Sequence, residues 1–287
     1  MSDDPQDGRQ ATMSIATAEP EPGGGAAFAP SYVFALGQIV PRFPTVSVER
    51  EFAQAVGRGD TEGLTDAQAR HRVLSARENR YLVRQLCWTF VIEGLENYVL
   101  LPKDPGDYEL LAEAVRAEPD RNDLDVVIGQ LGPAAPPQVC GGLTLPIVFF
   151  DQLYSFDRDS LLSAIPRPEG EDAPSEEQFH ATAGELFDRI MQVADNAGVT
   201  GEHRALNYLA SRYDAVYTQT ARAHAGNASL SSVDVRRSRL AGVRDIVDVV
   251  FTYTHRTTDV VDKYFVRVDV TEEFPFLVTK LSPFYER

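Results

Sequence analysis

The period of apolar positions changes along this chain, and the changes mark its elements. Residues 32–43, YVFALGQIVPRF, are apolar almost throughout and predict a strand ending near Pro41. A helix begins at Leu64. Thr65 and Gln68 have the spacing of a capping box, in which hydroxyl and amide oxygens accept from free backbone N–H groups. Residues 84–102, RQLCWTFVIEGLENYVLLP, carry two apolar runs around Glu93-Gly94-Leu95-Glu96-Asn97, the pattern of a strand hairpin. A short helix over 106–117 and strands in DVVIGQLG and LTLPIVFFDQLYSF follow.

The middle of the chain switches to helical spacing. Ser175 and Gln178 form a second capping-box pair. Ala183, Leu186, Phe187, Ile190, Val193 and Ala197 then recur along one face, with Gly198 as a stop. Leu206, Leu209, Tyr213 and Tyr217 predict one long helix from about 202 to 223. The last sixty or so residues switch to period two. Val233 and Val235 alternate with polar neighbours, as do Val247, Val249, Phe251 and Tyr253, and then Tyr264, Val266, Val268 and Val270. That is an antiparallel meander. Early strands, central long helices and a terminal meander predict an α+β fold of mixed strands. Residues 1–30 are rich in Pro, Gly and Ala without apolar period, which predicts a disordered tail or linker ahead of a single domain over 31–287. Residues 165–178 predict an acidic surface loop.

Composition narrows the function. An apolar fraction of 43% supports a sizeable core, but no uninterrupted run is long enough to span a membrane. The polar start MSDDPQDGRQ lacks the features of a secretory signal, so a cytoplasmic location is expected. A net charge of -16 argues against a generic nucleic-acid binder. The only lysines are Lys103, Lys263 and Lys280, so 24 of the 27 basic residues are arginines. Arg77, Arg80 and Arg84 cluster in one stretch; Arg236, Arg237, Arg239 and Arg244 cluster in another. Together with acids such as Glu93, Glu96, Asp269, Glu272 and Glu273, they form either internal salt bridges and solvated faces or a groove for an acidic peptide. The apolar closing segment, with Phe274, Phe276, Phe284 and Tyr285, predicts a docked central or dimer-facing strand, whose edge could pair with another chain.

Candidate chemistry is sparse. The chain has no phosphate-binding Gly-rich loop, no H-E-x-x-H helix, no G-x-S-x-G elbow and no C-x-x-C. The two cysteines, Cys87 beside Trp88 and Cys140 in PPQVCGG, are too few for a disulfide framework and are either core residues or metal ligands. The histidines are His71, His180, His203, His224 and His255. A closed zinc site needs four ligands; three protein ligands would leave a place for water or substrate.

The runs YVFALGQIVPRFP, ENRYLVRQLCW, IEGLENYVLLP, EHRALNYLASRY and VDVTEEFPFLVTKLSPFYER resemble the C-terminal domain of unknown function of cyanobactin maturation proteases, over about residues 32–287. The resemblance implies a bound zinc, a homodimer, and a place in making ribosomally produced, post-translationally modified peptides. It implies Cys87 and Cys140 as metal ligands, with His203 in EHRALNYLA as the histidine to add. The subtilisin-like protease domain of that family is absent here, so its macrocyclising activity does not carry over. The expected function is an accessory zinc-binding domain that organises precursor peptide or partner enzymes. The alternatives are a zinc-dependent peptide-modifying enzyme with an open metal position and a nearby carboxylate as base, or a purely structural dimerisation module.

Overall fold

The computed structural model describes residues 30–285 apart from 59–60, 168–173, 193–194 and 241. Nearly all of the segment expected to be a tail, and the middle of the acidic loop, lie outside the described residues.

Five strands close into a barrel: β1 (Tyr32–Arg42), β2 (Cys87–Ile92), β3 (Leu95–Pro102), β4 (Asp123–Ala134) and β5 (Pro146–Asp157). Their order is β1-β2-β3-β5-β4, and β4 pairs back onto β1. All pairs are antiparallel except β3 with β5, which run parallel from Val99↔Ile147 to Pro102↔Phe150. β1 closes the ring by serving two partners. Tyr32–Gly37 pair with β4, and Gln38–Arg42 pair with β2. At the changeover a Cβ on Gly37 would lie 2.4 Å from the Val91 carbonyl oxygen, so only glycine fits.

Strand alternation sorts the barrel side chains. Trp88, Phe90, Tyr98, Leu100, Val148 and Phe150 fill the interior. Each large side chain so buried contributes about 1.5–3 kcal/mol. Short helices plug the barrel: α2 (Asp66–Ser75), α3 (Arg80–Gln85) and α4 (Tyr108–Glu113) supply Leu74, Val83 and Leu111. α1 (Val46–Arg58) packs outside them through Ala55 against Val73 and Leu82. Five strands in this order, with a helix between the third and fourth, make an OB-type barrel.

The outer faces of β1 and β4 start a second core. Phe34, Leu36, Val126 and Ile128 pack against α5 (Arg158–Ala164), α6 (Glu176–Met191), α7 (Gly201–Arg212) and α8 (Ala215–Ala225). The other side of these helices meets the inner face of an antiparallel sheet, β6 (Ala228–Arg237), β7 (Ile246–His255), β8 (Val261–Asp269) and β9 (Phe276–Pro283), in sequential order. Val247, Val249, Phe251 and Tyr253 are the β7 contribution, as their period-two spacing predicts.

The α+β class and the terminal meander therefore match the sequence. Both capping boxes are present, on Thr65/Gln68 and Ser175/Gln178. The expected helix over 202–223 is two helices, broken at Tyr213 and Asp214. The Tyr217 hydroxyl donates to the Ala210 carbonyl at 2.5 Å across the break, which keeps the same apolar face on both pieces. Helix α6 ends at Met191, short of the expected Ala197; Val193, one residue of that pattern, lies outside the described residues.

Candidate functional site

Cys87 opens β2, and Cys140 lies in the loop that leads to β5. Although 53 residues apart, they form a disulfide. Each is 3% exposed, among Val99, Ala135 and Ile147, with Leu101, Leu143, Leu145 and Phe149 around them. Of the two expected alternatives, core residues or metal ligands, the structure has both as core residues, and it adds a cross-link that the sequence reading did not include. His203 sits elsewhere, in the first turn of α7, where Thr200 caps its backbone N–H at 3.1 Å. Its Nδ1 is buried without a partner, and burial holds its pKa down against the pull of Glu202 and Asp195. Among the described residues, no three or more His, Cys, Asp or Glu side chains gather as a metal site. An oxidised pair donates no thiolate, and its neighbours are hydrocarbon. The arrangement as it stands does not fit zinc.

A charged cluster joins the barrel to the turn between β8 and β9. Lys103, just after β3, pairs with Asp151 of β5 and with Glu273 of the turn, the latter at 3.2 Å. Burial, then the hydrogen bond to Asp151, raises the Glu273 carboxyl to about 7. Burial also pushes Asp151 upward. Its hydrogen bond with Glu273 and the Lys103 ammonium outweigh that and hold it below the usual range. Arg204 of α7 fastens the same turn. It is 4% exposed, and its guanidinium donates to the carbonyls of Val270 at 2.6 Å, Glu273 at 3.1 Å and Glu272. It also lies over the Tyr32 ring, 5.4 Å from the centroid. Arg77 and Arg80 play no part here. Arg80 pairs with Glu109 on the surface. The expected salt bridges are thus present, but most are exposed and contribute little.

A concave feature lies between the barrel and α6. It has a volume of about 590 Å³ and is walled by β1, the β2–β3 turn, residues 121–124 before and within β4, Arg158, and α6. A second hollow of about 470 Å³ continues along α6 and shares Arg158, Asp188 and Gln192 with it. Leu36, Val91, Ile92, Phe187 and Met191 supply apolar lining; Gln38, Asn122 and Gln192 supply polar lining. Arg158 sits at the join. Its guanidinium donates to Asp188 at 2.7 Å and to the Gly184 carbonyl at 3.1 Å, and lies 5.8 Å from the Phe187 ring centroid. A Cβ on Gly184 would be 3.0 Å from the same nitrogen, so the glycine makes room for the arginine inside a helix. Sequence periodicity could not find this site. Arg121 and Arg158 are far apart in sequence; the antiparallel pairing of β4 with β5, which ends at Asp123↔Asp157 with the Arg158 N–H donating to the Asn122 carbonyl at 2.9 Å, brings their chain segments together.

This is a barrel-and-sheet α+β domain. It has an internal cross-link and a groove of about 590 Å³, and no metal cluster among its described residues. Residues 173–284 match the family model described as PatG C-terminal. A solved structure named PatG Domain of Unknown Function shares the fold at a TM-score of 0.72 and 22% identity, covering 88% of this chain and 98% of that one. No curated protein matches. The chain as a whole has the fold of the PatG domain, and its segment from 173 to 284 is similar to the PatG C-terminal family, in line with the resemblance of the sequence runs. Among the described residues, no helix is long and apolar enough to cross a membrane.

Proposed function

We propose that this chain is an accessory domain in the biosynthesis of ribosomally made, post-translationally modified peptides of the cyanobactin kind, where it holds precursor peptide or a partner enzyme. The match of residues 173–284 to the PatG C-terminal family carries this function. A groove of a size that takes ligands supports it further. Titration of the full chain with a synthetic precursor peptide of the cyanobactin kind, read by calorimetry and by mass spectrometry, tests it. Saturable binding with no change in peptide mass is expected. Absence of binding would overturn the peptide-holding form and leave a partner enzyme as what is held, and a mass change would favour the peptide-modifying enzyme instead.

Zinc enters only through the reduced protein. Disulfides are rare in reducing compartments, and there Cys87 and Cys140 would be two adjacent thiols, half of a closed zinc site. Metal content of reduced protein and of Cys140→Ser measures this: zinc that is present in the first and lost in the second supports it. His203 lies on another element and is not proposed to complete that set. Self-association belongs to the same function. Exposed Phe276 and Val278 on the edge strand β9, flanked by Phe274 and Tyr285, support it. Light scattering that gives a monomer mass at all concentrations would count against it.

A further inference from the structure

We propose that Lys103, Asp151 and Glu273 form a self-linking site, at which an amide bond joins the Lys103 amine to the Asp151 carboxyl and ties β3 to β5 covalently.

The backbone sets the two reacting groups side by side. β3 and β5 run parallel as far as Pro102↔Phe150, and the Lys103 N–H then donates to the Phe150 carbonyl at 3.1 Å. Lys103 and Asp151 are therefore neighbours on paired chains, and their side chains meet. The Asp151 oxygen that meets the nitrogen, Oδ2, is buried, and the contact lacks the geometry of a hydrogen bond. Groups held in contact reach effective concentrations of about 10⁵–10⁸ M, which favours condensation over the reverse attack by water. Lysine is also the residue this chemistry needs. Only Lys103, Lys263 and Lys280 are lysines among 27 basic residues, and an arginine fork would hold two carboxylates at least as well, but a guanidinium is no nucleophile.

Glu273 supplies the proton transfers. It lies 3.2 Å from the Lys103 nitrogen and shares a hydrogen bond with Asp151. Its side chain is the most enclosed of the three, 15% exposed against 35% for Lys103 and 33% for Asp151. Burial first, then the bond to Asp151, places its titration at about 7, so at neutral pH it can both take and give a proton. Arg204 keeps it in place by donating to the carbonyls of Val270, Glu272 and Glu273 itself. In the reaction the amine, once relieved of a proton, attacks Asp151 Cγ. A C–N bond forms and a C–O bond breaks. Of the three ammonium protons, one stays on the amide nitrogen and two leave with the carboxyl oxygen as water. Glu273 carries them across and ends as it began. The bond forms only after folding has brought β3, β5 and the β8–β9 turn together; until then Lys103 and Asp151 stand as the ion pair described above.

Intact-mass spectrometry of the full chain, followed during incubation at neutral pH and read after reduction of the disulfide, tests this. The wild type is expected to lose the mass of one water, in a share that grows with time. Trypsin should then fail to cut after Lys103, and the peptide that contains it should be found joined to the one that contains Asp151. Lys103→Arg keeps the cation but has no amine, and should keep its full mass. Glu273→Gln keeps both reacting groups and should slow the loss by about a hundredfold or more. A wild-type mass that never changes overturns the proposal. So does a loss of water that persists in Lys103→Arg, which would mark imide formation at an aspartate, and so does a linked peptide that joins Lys103 to Glu273 in place of Asp151.

Discussion

At the scale of single residues, Glu273 is the side chain whose protonation sets a measurable pH dependence. Its carboxyl titrates near 7 in the folded protein because it is buried and shares a hydrogen bond with Asp151. An unfolded glutamate titrates near 4.3. The folded state therefore holds this proton more tightly. The resulting stabilisation is complete below the unfolded value and is lost as pH rises towards 7. Asp151 runs the other way. Its lowered pKa gives stabilisation that is present at neutral pH and lost only in acid. The window between about pH 4.5 and 7 thus belongs to Glu273. Glu273→Gln keeps a hydrogen-bond donor for Asp151 and carries no charge. We expect it to flatten the fall in denaturation midpoint across that window and to make the protein more stable above pH 7, by about 1 kcal/mol after allowing for screening at the partly exposed Lys103 and Asp151. A variant that keeps the wild-type slope would show that Glu273 is ionised throughout.

At the scale of elements, α7 is the piece that holds the rest together. Asn207 donates to the Phe34 carbonyl of β1 at 2.7 Å, and Arg204 donates to three carbonyls of the β8–β9 turn. Arg204→Met would keep the volume of the side chain and leave those carbonyls with no donor in a buried place. A loss of about 3 kcal/mol or more in unfolding free energy is expected. Arg204→Lys should recover little, because one ammonium cannot span three acceptors. A loss under about 1 kcal/mol for Arg204→Met would mean that water or the turn itself takes over the bonds. Sequence pattern foretold most of the strands and the longer helices but not these fastenings. Period two marked β7 and β8 because one face of each is apolar and the other mixed. The break at Tyr213 escaped because the apolar positions keep their spacing on both sides of it. Helices α1 and α5 went unread. α5 is a single short stretch of seven residues, and only Ala55 of α1 is buried. The parallel pairing of β3 with β5 closes the barrel, but no local signal marks a partner some fifty residues away.

At the scale of the whole molecule, the barrel separates what the sequence suggested about its cysteines from what the fold does with them. Two distant thiols do meet, as the resemblance implied, yet the histidine added to them lies on another element. In OB-type barrels the face of the second and third strands, with the loops beside it, is the usual ligand surface. Here that face begins at Cys87 and Val99, and the loop over 135–145 lies on it, with Cys140 bonded to Cys87. The loop therefore covers the part of that face formed by Cys87, Val99 and Leu101. The bond spans 53 residues, for which chain entropy gives roughly 4 kcal/mol of stabilisation as an upper value. Most of the loop's own hydrogen bonds are short-range, such as Gly142 N–H to the Pro137 carbonyl at 2.7 Å and Leu143 N–H to that of Cys140 at 3.1 Å. They shape the loop, whereas the disulfide and the apolar contacts hold it down. Reduction, or Cys140→Ser, is therefore expected to lower stability by up to that amount and to speed amide exchange over 135–145. Exchange in β7 and β8, across the separate core, should not change. Unchanged exchange in the loop would show that Leu143, Leu145 and their neighbours hold it by packing alone, and the face beneath would then stay closed in a reducing compartment as well.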